Sequence, residues 1–288
     1  MGNKITTNDK IRNIKINNKI IDFSTPKIMG ILNLTPDSFY DGGNYMDYDS
    51  ILKKAEDMIQ NGADIIDIGA VSTRPGANDV AVDIELKRII EPIKLLHAAF
   101  PKIILSVDTY RAKVAEESIK AGAQIINDIS GGTMDTRMFD TIAMLKVPYI
   151  LMHIHGTPQT MQNSPITKDV ITVVRNFFEA AVTKLNKLGV EDIILDPGFG
   201  FGKSLESNYS LLKNMEDIRV SNLPILAGVS RKSMISQVLN TTPQEALNGT
   251  TILNTIALFH GANILRVHDV KEAKEAIGIV EFMRNVEC

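Results

Sequence analysis

The feature that most constrains the fold of this chain is a regular alternation of short apolar runs with longer amphipathic segments. Eight runs rich in Ile, Val and Leu occupy residues 27–33, 64–69, 102–108, 123–128, 148–153, 192–196, 224–229 and 263–267. Continuous apolar runs of this length are typical of strands that are buried on both faces of a parallel sheet. The runs recur about every 33 residues, which is the length of one strand–helix unit.

The segments between the runs are amphipathic with helical periodicity, as connections between parallel strands require. The predicted helices cover residues 51–60, 82–100, 111–121, 136–146, 168–188, 205–218, 243–261 and 270–284. Eight strand–helix units in 288 residues favour an α/β chain folded as a closed (β/α)₈ TIM barrel. A doubly wound open sheet uses the same alternation and is the alternative.

The chain ahead of the first run predicts a small separate element. Residues 11–23 alternate imperfectly between apolar and polar around Asn17 and Asn18, which favours a short hairpin. A frayed terminus is the alternative. The predicted organisation is therefore an N-terminal extension with a hairpin over residues 1–26, followed by a barrel over residues 27–288.

Charge and cysteine content limit the partners and the compartment. The net charge of −3 leaves no dominant basic face, which argues against nucleic-acid and membrane partners. Cys288 is the only cysteine, so the chain forms no internal disulfide and fits a reducing compartment. Residues 1–24 are polar and carry no signal-peptide core, and no run approaches the ~18 apolar residues of a membrane helix. We expect a cytoplasmic protein.

Polar side chains lie at or near the ends of the predicted strands, where the chemistry of such barrels gathers. They are Asn33, Asp67, Asp108, Asn127, His153, Asp196, Ser230, Arg231, Lys232, Arg266 and His268. For any single residue, capping of the next helix is the alternative role. For the whole set this explanation is poor, because so many polar groups converging on one mouth are costly unless a polar ligand binds there.

The stretch LDPGFGFGKS, residues 195–204, is glycine-rich like a phosphate-binding loop, but it matches neither the P-loop pattern nor the dinucleotide-binding pattern. The P-loop pattern needs glycine where the chain has Pro197, and the dinucleotide pattern needs glycine where it has Lys203. We interpret the stretch as the end of the sixth strand, with Asp196 held by Pro197 and with glycines that let the backbone approach a ligand. Lys203 is expected on the surface.

Seven segments of the chain resemble, in order, the sequence motifs of the dihydropteroate synthase family. They are GILNLTPDSFYDGG (30–43), DIGAVSTRPGA (67–77), SVDT (106–109), INDISGG (126–132), LDPGFGFGKSLESNYSLL (195–212), GVSRKSMI (228–235) and RVHDV (266–270). The family would have Gly-Glu in place of Ala70-Val71, and Thr in place of Ser204. The His-Ile-His stretch at 153–155 is also unusual for it. The resemblance implies a (β/α)₈ barrel that joins p-aminobenzoate to 6-hydroxymethyl-7,8-dihydropterin diphosphate, with release of pyrophosphate.

The resemblance implies one set of residues for the pterin. The set is Asp108, Asn127, Met152, Asp196, Gly200, Lys232 and Arg266. An ionised Asp196 can accept two adjacent N–H groups of the pterin edge at once, through charge-assisted hydrogen bonds. Arg266 can lie flat over the ring, and a structural ion pair is its alternative role.

A second set is implied for the diphosphate group and its metal. The set is Asn33, Thr73, Arg74, Arg266 and His268. Asn33 offers a hard oxygen to a Mg²⁺ cofactor, which takes its other ligands from phosphates and water. Arg266 and His268 follow the eighth strand, close to the phosphate site common in these barrels. His153 and His155 are too few for a transition-metal site and are expected to be local structure.

A third set is implied for p-aminobenzoate. The set is Thr73, Arg74, Pro75, Phe201, Ser230 and Ser233. Ser230 is expected to cap a new helix, whose N-terminal N–H groups would bind the carboxylate together with Ser233. Phe201 and Pro75 would flank the ring, although ordinary loop packing is the alternative for Phe201. The family also implies a homodimer through the last helices.

The chemistry needs charge stabilisation more than proton transfer. The arylamine nitrogen is neutral at pH 7, so the catalytic set of Asn33, Lys232, Arg266 and His268 would act by positioning and by stabilising charge on the leaving diphosphate. Three other functions remain open from the residues alone. They are a Schiff-base aldolase that uses Lys232, a corrinoid-dependent pterin methyltransferase, and a pterin-binding module without catalysis.

Overall fold

A computed structural model describes residues 10–16, 19–34, 40–41, 45–72 and 80–286 of the chain. The strands within these ranges are β1 (Ile14–Ile16), β2 (Lys19–Ile21), β3 (Lys27–Asn33), β4 (Tyr40–Asp41), β5 (Tyr45–Met46), β6 (Ile65–Gly69), β7 (Ile104–Asp108), β8 (Ile125–Asp128), β9 (Tyr149–Met152), β10 (Ile193–Asp196), β11 (Leu226–Ala227) and β12 (Ile264–Val267). β1 pairs with β2, and β4 with β5, in two small antiparallel ribbons.

The other eight strands form one parallel sheet that curls into a barrel. Their order is β10, β9, β8, β7, β6, β3, β12 and β11. The two edge strands meet again, because Leu195 forms a parallel bridge with Ile225 and donates its backbone N–H to the Pro224 carbonyl at 2.9 Å. The predicted TIM barrel is therefore confirmed, and the open-sheet alternative is wrong.

One strand is much shorter than its apolar run. The run over 224–229 predicts a six-residue strand, but β11 holds only Leu226 and Ala227. Pro224 has no N–H to give to a sheet. Beyond β11 the chain turns, and the Lys232 N–H donates to the Val229 carbonyl at 3.2 Å. Because the chain leaves the sheet after Ala227, the residues that follow β11 reach the barrel mouth.

Helices follow the barrel strands and cover the outside. In the described ranges they are α1 (Tyr48–Gln60), α2 (Val82–Ala99), α3 (Ala112–Ala121), α4 (Met138–Leu145), α5 (Val170–Lys187), α6 (Leu205–Lys213), α7 (Ser233–Leu239), α8 (Leu247–Phe259) and α9 (Val270–Arg284). Each of the eight predicted segments contains a helix, and a 3₁₀ turn at Met215–Ile218 ends the sixth. In the described part of the chain, no helix is long and apolar enough to cross a membrane.

The lower end of the barrel, where the strands begin, is filled by apolar side chains. Seven strands contribute one fully buried residue each, namely Met29, Ile65, Ile125, Ile150, Ile194, Leu226 and Ile264. The β1–β2 ribbon packs Ile14, Ile16, Ile21 and Phe23 onto this layer. The predicted hairpin is confirmed, and it closes the end of the barrel opposite the mouth. The boundary between an extension and a barrel at residues 26 and 27 stays a prediction.

Candidate active site at the barrel mouth

The inward-facing positions become polar one layer above the apolar floor. Since side chains alternate along a strand, the next inward residue lies two positions further on. These residues include Asp67, Ser106, Asn127, Asp196 and Arg266, of which the first four are buried. The fold thus brings together, inside one barrel, the polar residues that the sequence places near strand ends.

Strand register aligns a further row at the rim. Asn33 lies opposite Gly69, Gly69 opposite Asp108, and Asp108 opposite Asn127. A Cβ atom on Gly69 would lie 3.5 Å from Asn33 Oδ1 and 3.8 Å from Asp108 Oδ2. The two oxygens therefore flank the same small space above Gly69.

Arg266 ties three strands together through two carboxylates. Its Nε donates to Asp67 Oδ2 at 2.7 Å, and its Nη2 donates to Asp108 Oδ2 at 2.7 Å. Although burial opposes it, the two carboxylates raise the pKa of Arg266 above its usual value. Arg266 thus forms a structural ion pair, which was the alternative role expected for it. Its side chain remains 19% exposed.

Asp67 and Ser106 both belong to this inward layer, and the sequence assigned no function to either. Asp67 is fully buried and accepts from Asn127 Nδ2 at 2.9 Å, as well as from Arg266. The sequence did contain a sign of this role, because Asp67 is a carboxylate at the centre of an apolar run. Burial of such a group is costly without a cationic partner. Asp67 Oδ1, Ser106 Oγ and Asn127 Oδ1 are buried without a hydrogen-bond partner among the described residues.

Asp108 sits between opposing influences on its charge. Burial and neighbouring Asp67 raise the pKa of Asp108 to about 7, although Arg266 opposes this shift. Two carboxylates that share one guanidinium compete for it. The charge of Asp108 therefore depends on both Arg266 and Asp67.

Asp196 and Lys232 face each other on the other side of the mouth. Asp196 is buried at the end of β10, and its Oδ1 accepts from the Gly198 N–H at 2.8 Å. Burial raises the pKa of Asp196, and Lys232 opposes the shift. Burial lowers the pKa of Lys232 to about 8, and Asp196 opposes that shift. Lys232 Nζ donates to the Phe199 carbonyl and lies 4.7 Å from the centre of the Phe201 ring.

The glycines of LDPGFGFGKS approach protein backbone as much as they approach the mouth. Gly198, Gly200 and Gly202 have φ values of 67°, 83° and 69°, in the left-handed region that favours glycine. A Cβ on Gly198 would lie 2.1 Å from the His153 carbonyl oxygen, and one on Gly202 would lie 2.3 Å from the His155 carbonyl oxygen. Gly200 faces Lys232 instead. Among the three, Gly200 is the glycine that faces a residue of the mouth, and its close approach to a ligand stays a prediction.

Lys203 is not on the surface, so that prediction is wrong. Its side chain is buried, and Nζ donates to the carbonyl oxygens of His153, Gly198 and Phe201 at 3.1, 2.8 and 3.0 Å. The prediction failed because two of these acceptors belong to its own glycine loop and the third lies 50 residues earlier. No local pattern encodes that arrangement.

The loop after β11 is joined to the end of β12 by two side-chain pairs. Ser230 Oγ lies 2.9 Å from His268 Nδ1 and accepts from the His268 backbone N–H at 3.2 Å. Arg231 forms a bidentate pair with Asp269, at 2.9 and 2.8 Å. The sequence had given Arg231 no specific role, and it holds a left-handed φ of 54°. The His268 ring is exposed at the rim, where partial burial and Arg266 lower its pKa.

Ser230 does not cap the new helix, contrary to expectation. α7 begins at Ser233, its cap position is Lys232, and no side chain accepts a hydrogen bond there. Ser230 is instead committed to His268. Ser233 is exposed at the start of α7, and Met152 is buried opposite Asp196 in the strand register. The remaining site predictions, Thr73, Arg74 and Pro75, lie outside the described residues.

Histidine and carboxylate clusters suited to a transition metal do not occur in the described ranges, where no group of three or more such ligands comes together. His153 is buried with its ring edge-on to Phe177 at 5.2 Å between centres. Burial lowers the pKa of His153 to about 3, and nearby Lys203 adds to the effect. His153 therefore packs as a neutral ring, as local structure.

Comparisons with known proteins agree on one family. A family model for pterin binding enzymes matches residues 29–268. The dihydropteroate synthase of Escherichia coli strain K12 is 46% identical over 263 residues, covering 91% of this chain and 93% of that protein. The Yersinia pestis dihydropteroate synthase in a sulfonamide drug complex has a TM-score of 0.89 at 42% identity, covering 96% of this chain and 100% of that chain. The Burkholderia cenocepacia enzyme complexed with 7,8-dihydropteroate has a TM-score of 0.85 at 37% identity, covering 95% and 97%.

Proposed function

The chain belongs to the dihydropteroate synthases of the pterin-binding enzyme family, and we propose that the polar side chains at its barrel mouth carry out the reaction. That reaction joins p-aminobenzoate to 6-hydroxymethyl-7,8-dihydropterin diphosphate and releases 7,8-dihydropteroate and pyrophosphate. The observation that carries the residue assignment is the inward layer of Asp67, Asn127, Asp196 and Arg266, with Lys232 beside it. A buried layer of this kind matches a flat, polar heterocycle.

The pterin ring binds against Asp196, Asn127 and Asp108. Asp196 has one oxygen committed to Gly198, and its carboxylate can accept further N–H bonds from the pterin edge. Asn127 Oδ1 is an acceptor with no partner among the described residues. Lys232 donates to the pterin carbonyl and ring nitrogen, Arg266 covers the ring, and Met152 and Gly200 complete the pocket walls.

The diphosphate lies at the rim beside Asn33, Arg266 and His268, with Thr73 and Arg74 from the second loop. Asn33 fits a Mg²⁺ ion, because its side chain makes no hydrogen bond to the described part of the chain and is flanked by Asp108 across Gly69. Magnesium takes one or two protein oxygens together with phosphate oxygens and water. Bound there, it would neutralise charge on the leaving group.

p-Aminobenzoate binds over Phe201 and Pro75, with its carboxylate toward Ser233 and its amine toward the pterin methylene carbon. Thr73 and Arg74 complete this pocket, and Ser230 supports it by holding His268. The C–O bond to the diphosphate breaks ahead of attack by the amine nitrogen, and the leaving oxygen is stabilised by Arg266 and His268. Once the C–N bond has formed, the amine gives up one proton to water. No strong general base is needed, because an arylamine is neutral at pH 7.

Lys232 acts as a hydrogen-bond donor in this scheme and not as a Schiff-base nucleophile. With a pKa of about 8 it is mostly protonated at neutral pH, and its ammonium already donates to the Phe199 carbonyl. Borohydride reduction in the presence of a carbonyl substrate would trap an aldolase intermediate on Lys232. Labelled Lys232 in that experiment would contradict the assignment.

The protein functions as a homodimer in the cytoplasm. The last three helices carry exposed apolar side chains, which are Val238, Leu239, Ile252, Phe259, Ile279, Phe282 and Met283. Apolar side chains exposed on helices that pack beside one another favour association of two chains. Light scattering should give the mass of two chains, and Phe259→Lys should reduce it to one if the face on α8 is the interface.

The direct test of the reaction is pyrophosphate release. Mixing the enzyme with both substrates and Mg²⁺ should release one pyrophosphate per 7,8-dihydropteroate, identified by mass spectrometry. Omission of p-aminobenzoate should stop the release. Pyrophosphate formed equally fast without p-aminobenzoate would mean hydrolysis, and would contradict the proposed condensation.

A further inference from the structure

Lys203 occupies an internal position that is rare for lysine. All three N–H groups of its ammonium point at backbone carbonyl oxygens, those of His153, Gly198 and Phe201. The side chain is 4% exposed. A buried lysine is tolerated when its charge is satisfied by hydrogen bonds. Burial lowers the pKa of Lys203 to about 7, and nearby Asp196 opposes this shift.

The ammonium joins two loops that are far apart in the sequence. His153 follows β9, whereas Gly198 and Phe201 belong to the loop after β10. The backbone of Lys203 also forms a parallel bridge with Ile166, and the Ile166 N–H donates to the Gly202 carbonyl at 2.9 Å. Lys203 is thus the point at which the loops after two neighbouring barrel strands are held together.

The loop shaped by Lys203 is the one that meets Lys232. Its Phe199 carbonyl accepts from Lys232 Nζ, and its Phe201 ring lies 4.7 Å from the same atom. Asn208 supports the other side of the loop by accepting from the Gly200 N–H at 2.7 Å and donating to the Lys203 carbonyl at 3.1 Å. The loop is therefore held by the ammonium of Lys203 on one side and by the side-chain amide of Asn208 on the other.

We propose that Lys203 is a positioning residue for the reaction, whose ammonium sets the shape of residues 197–203 and thereby the positions of Lys232 and Phe201 at the mouth. It touches neither substrate. The expected effect on the kinetics rests on the proposed function. The expected effect on the shape of the loop rests only on the contacts of the loop. A neutral side chain at this position would leave the carbonyl oxygens of His153 and Phe201 without a donor and that of Gly198 with the Phe201 N–H alone, and the loop would relax.

The test compares Lys203→Met with Lys213→Met, which removes an exposed lysine from α6 and serves as the matched control. For Lys203→Met we expect kcat/KM to fall by about 100-fold, the scale of an ångström-sized misplacement, with a raised KM for p-aminobenzoate. Affinity for pyrophosphate should stay within about twofold, because Asn33, Arg266 and His268 lie on other strands. Lys213→Met should match the wild type in both measurements.

A purely structural lysine would give a different pattern. In that case Lys203→Met would lower the melting temperature, while kcat and both KM values of the folded fraction stayed at wild-type levels, and the proposal would be overturned. Should Lys203→Met not fold, Asn208→Ala perturbs the same loop from its other side and is expected to raise the same KM.

A crystal structure of the variant separates this proposal from the proposed function. Displacement of the Phe201 ring and of Lys232 Nζ supports the positioning role, whatever the wild-type enzyme does with its substrates. An unmoved loop with wild-type kinetics overturns it. If the wild-type protein releases no pyrophosphate, the proposed function is contradicted. The displacement of the loop in the crystal structure then decides the role of Lys203.

Discussion

Arg266 on β12 and the buried Asp67 on β6 form an ion pair inside the barrel, with Nε donating to Oδ2 at 2.7 Å. The same guanidinium reaches Asp108 at 2.7 Å on the next strand. One cation thus balances two carboxylates at the floor of the mouth. Arg266 is therefore both part of the barrel's structure and part of the site, and substitutions there affect both.

Replacement of Asp67 by asparagine should destabilise the fold. The change keeps the shape but removes one of the two carboxylates that pair with Arg266. Because Asp108 keeps its bond to the guanidinium, we expect a loss of about 1.5–3 kcal/mol, the scale of a hydrogen bond to a charged group. Urea unfolding measures the loss. Glu216→Gln is the control, because it removes an ion pair between Arg219 and the exposed carboxylate of Glu216. Such a pair is worth about 1 kcal/mol or less. An Asp67→Asn variant as stable as Glu216→Gln would contradict the role given to the pair.

His268→Ala should weaken pyrophosphate binding more than the binding of a bare pterin. The ring is exposed at the rim and held by Ser230 at 2.9 Å, so its loss removes a donor near the diphosphate and leaves the inward layer intact. Ser230→Ala should have a smaller effect in the same direction. Calorimetry with the two ligands provides the comparison, and equal loss for both would assign His268 to packing alone.

Acid should destabilise the protein partly through His153. Burial lowers the pKa of His153 from 6.5 to about 3, so the unfolded chain takes up the proton first as the pH falls. Stability is then lost progressively below pH 6.5, by roughly 2 kcal/mol between pH 7 and pH 5. His153→Leu should lose less free energy of unfolding than the wild type over that range. Parallel pH dependence for the two proteins would show that His153 does not carry a depressed pKa.

The first two loops after the barrel strands should couple the binding of the substrates. Residues 35–48 and 71–79 are long and rich in glycine and polar residues, and anchoring them to diphosphate and Mg²⁺ would complete the p-aminobenzoate pocket. p-Aminobenzoate should therefore bind more tightly in the presence of saturating pyrophosphate and Mg²⁺. By linkage, p-aminobenzoate should strengthen pyrophosphate binding by the same factor. Unchanged affinity in both titrations would indicate a preformed pocket.

Much of the barrel could be predicted from the sequence because its strands are local signals. The run at 27–33 coincides with β3 to the residue, since a strand buried on both faces is an unbroken apolar run. The ends of such strands lie at one rim by topology alone. Asn33, Asp108, Asn127, Asp196 and Arg266 could therefore be predicted to converge without any knowledge of their contacts.

The contacts that depend on distant backbone could not be predicted. Lys203 is buried because a carbonyl 50 residues away completes its set of acceptors, and a lysine followed by serine in a glycine-rich loop carries no sign of that. Ser230 matches a capping residue in sequence, but the chain turns at Arg231 and commits it to His268. Asp67 could have been given a partner in advance, because a carboxylate within an apolar strand requires one.

The measurement that tests the account most directly is the affinity of Asp196→Asn for a pterin ligand. The substitution preserves the size of the side chain at the end of β10, but it removes the charge and presents an NH₂ group toward the N–H donors of the pterin. Calorimetry should show pterin binding weakened by a few kcal/mol, with circular dichroism unchanged from the wild type. A pterin affinity within about threefold of the wild type, equivalent to less than ~0.7 kcal/mol, would contradict the assignment of Asp196 and of the site built around it.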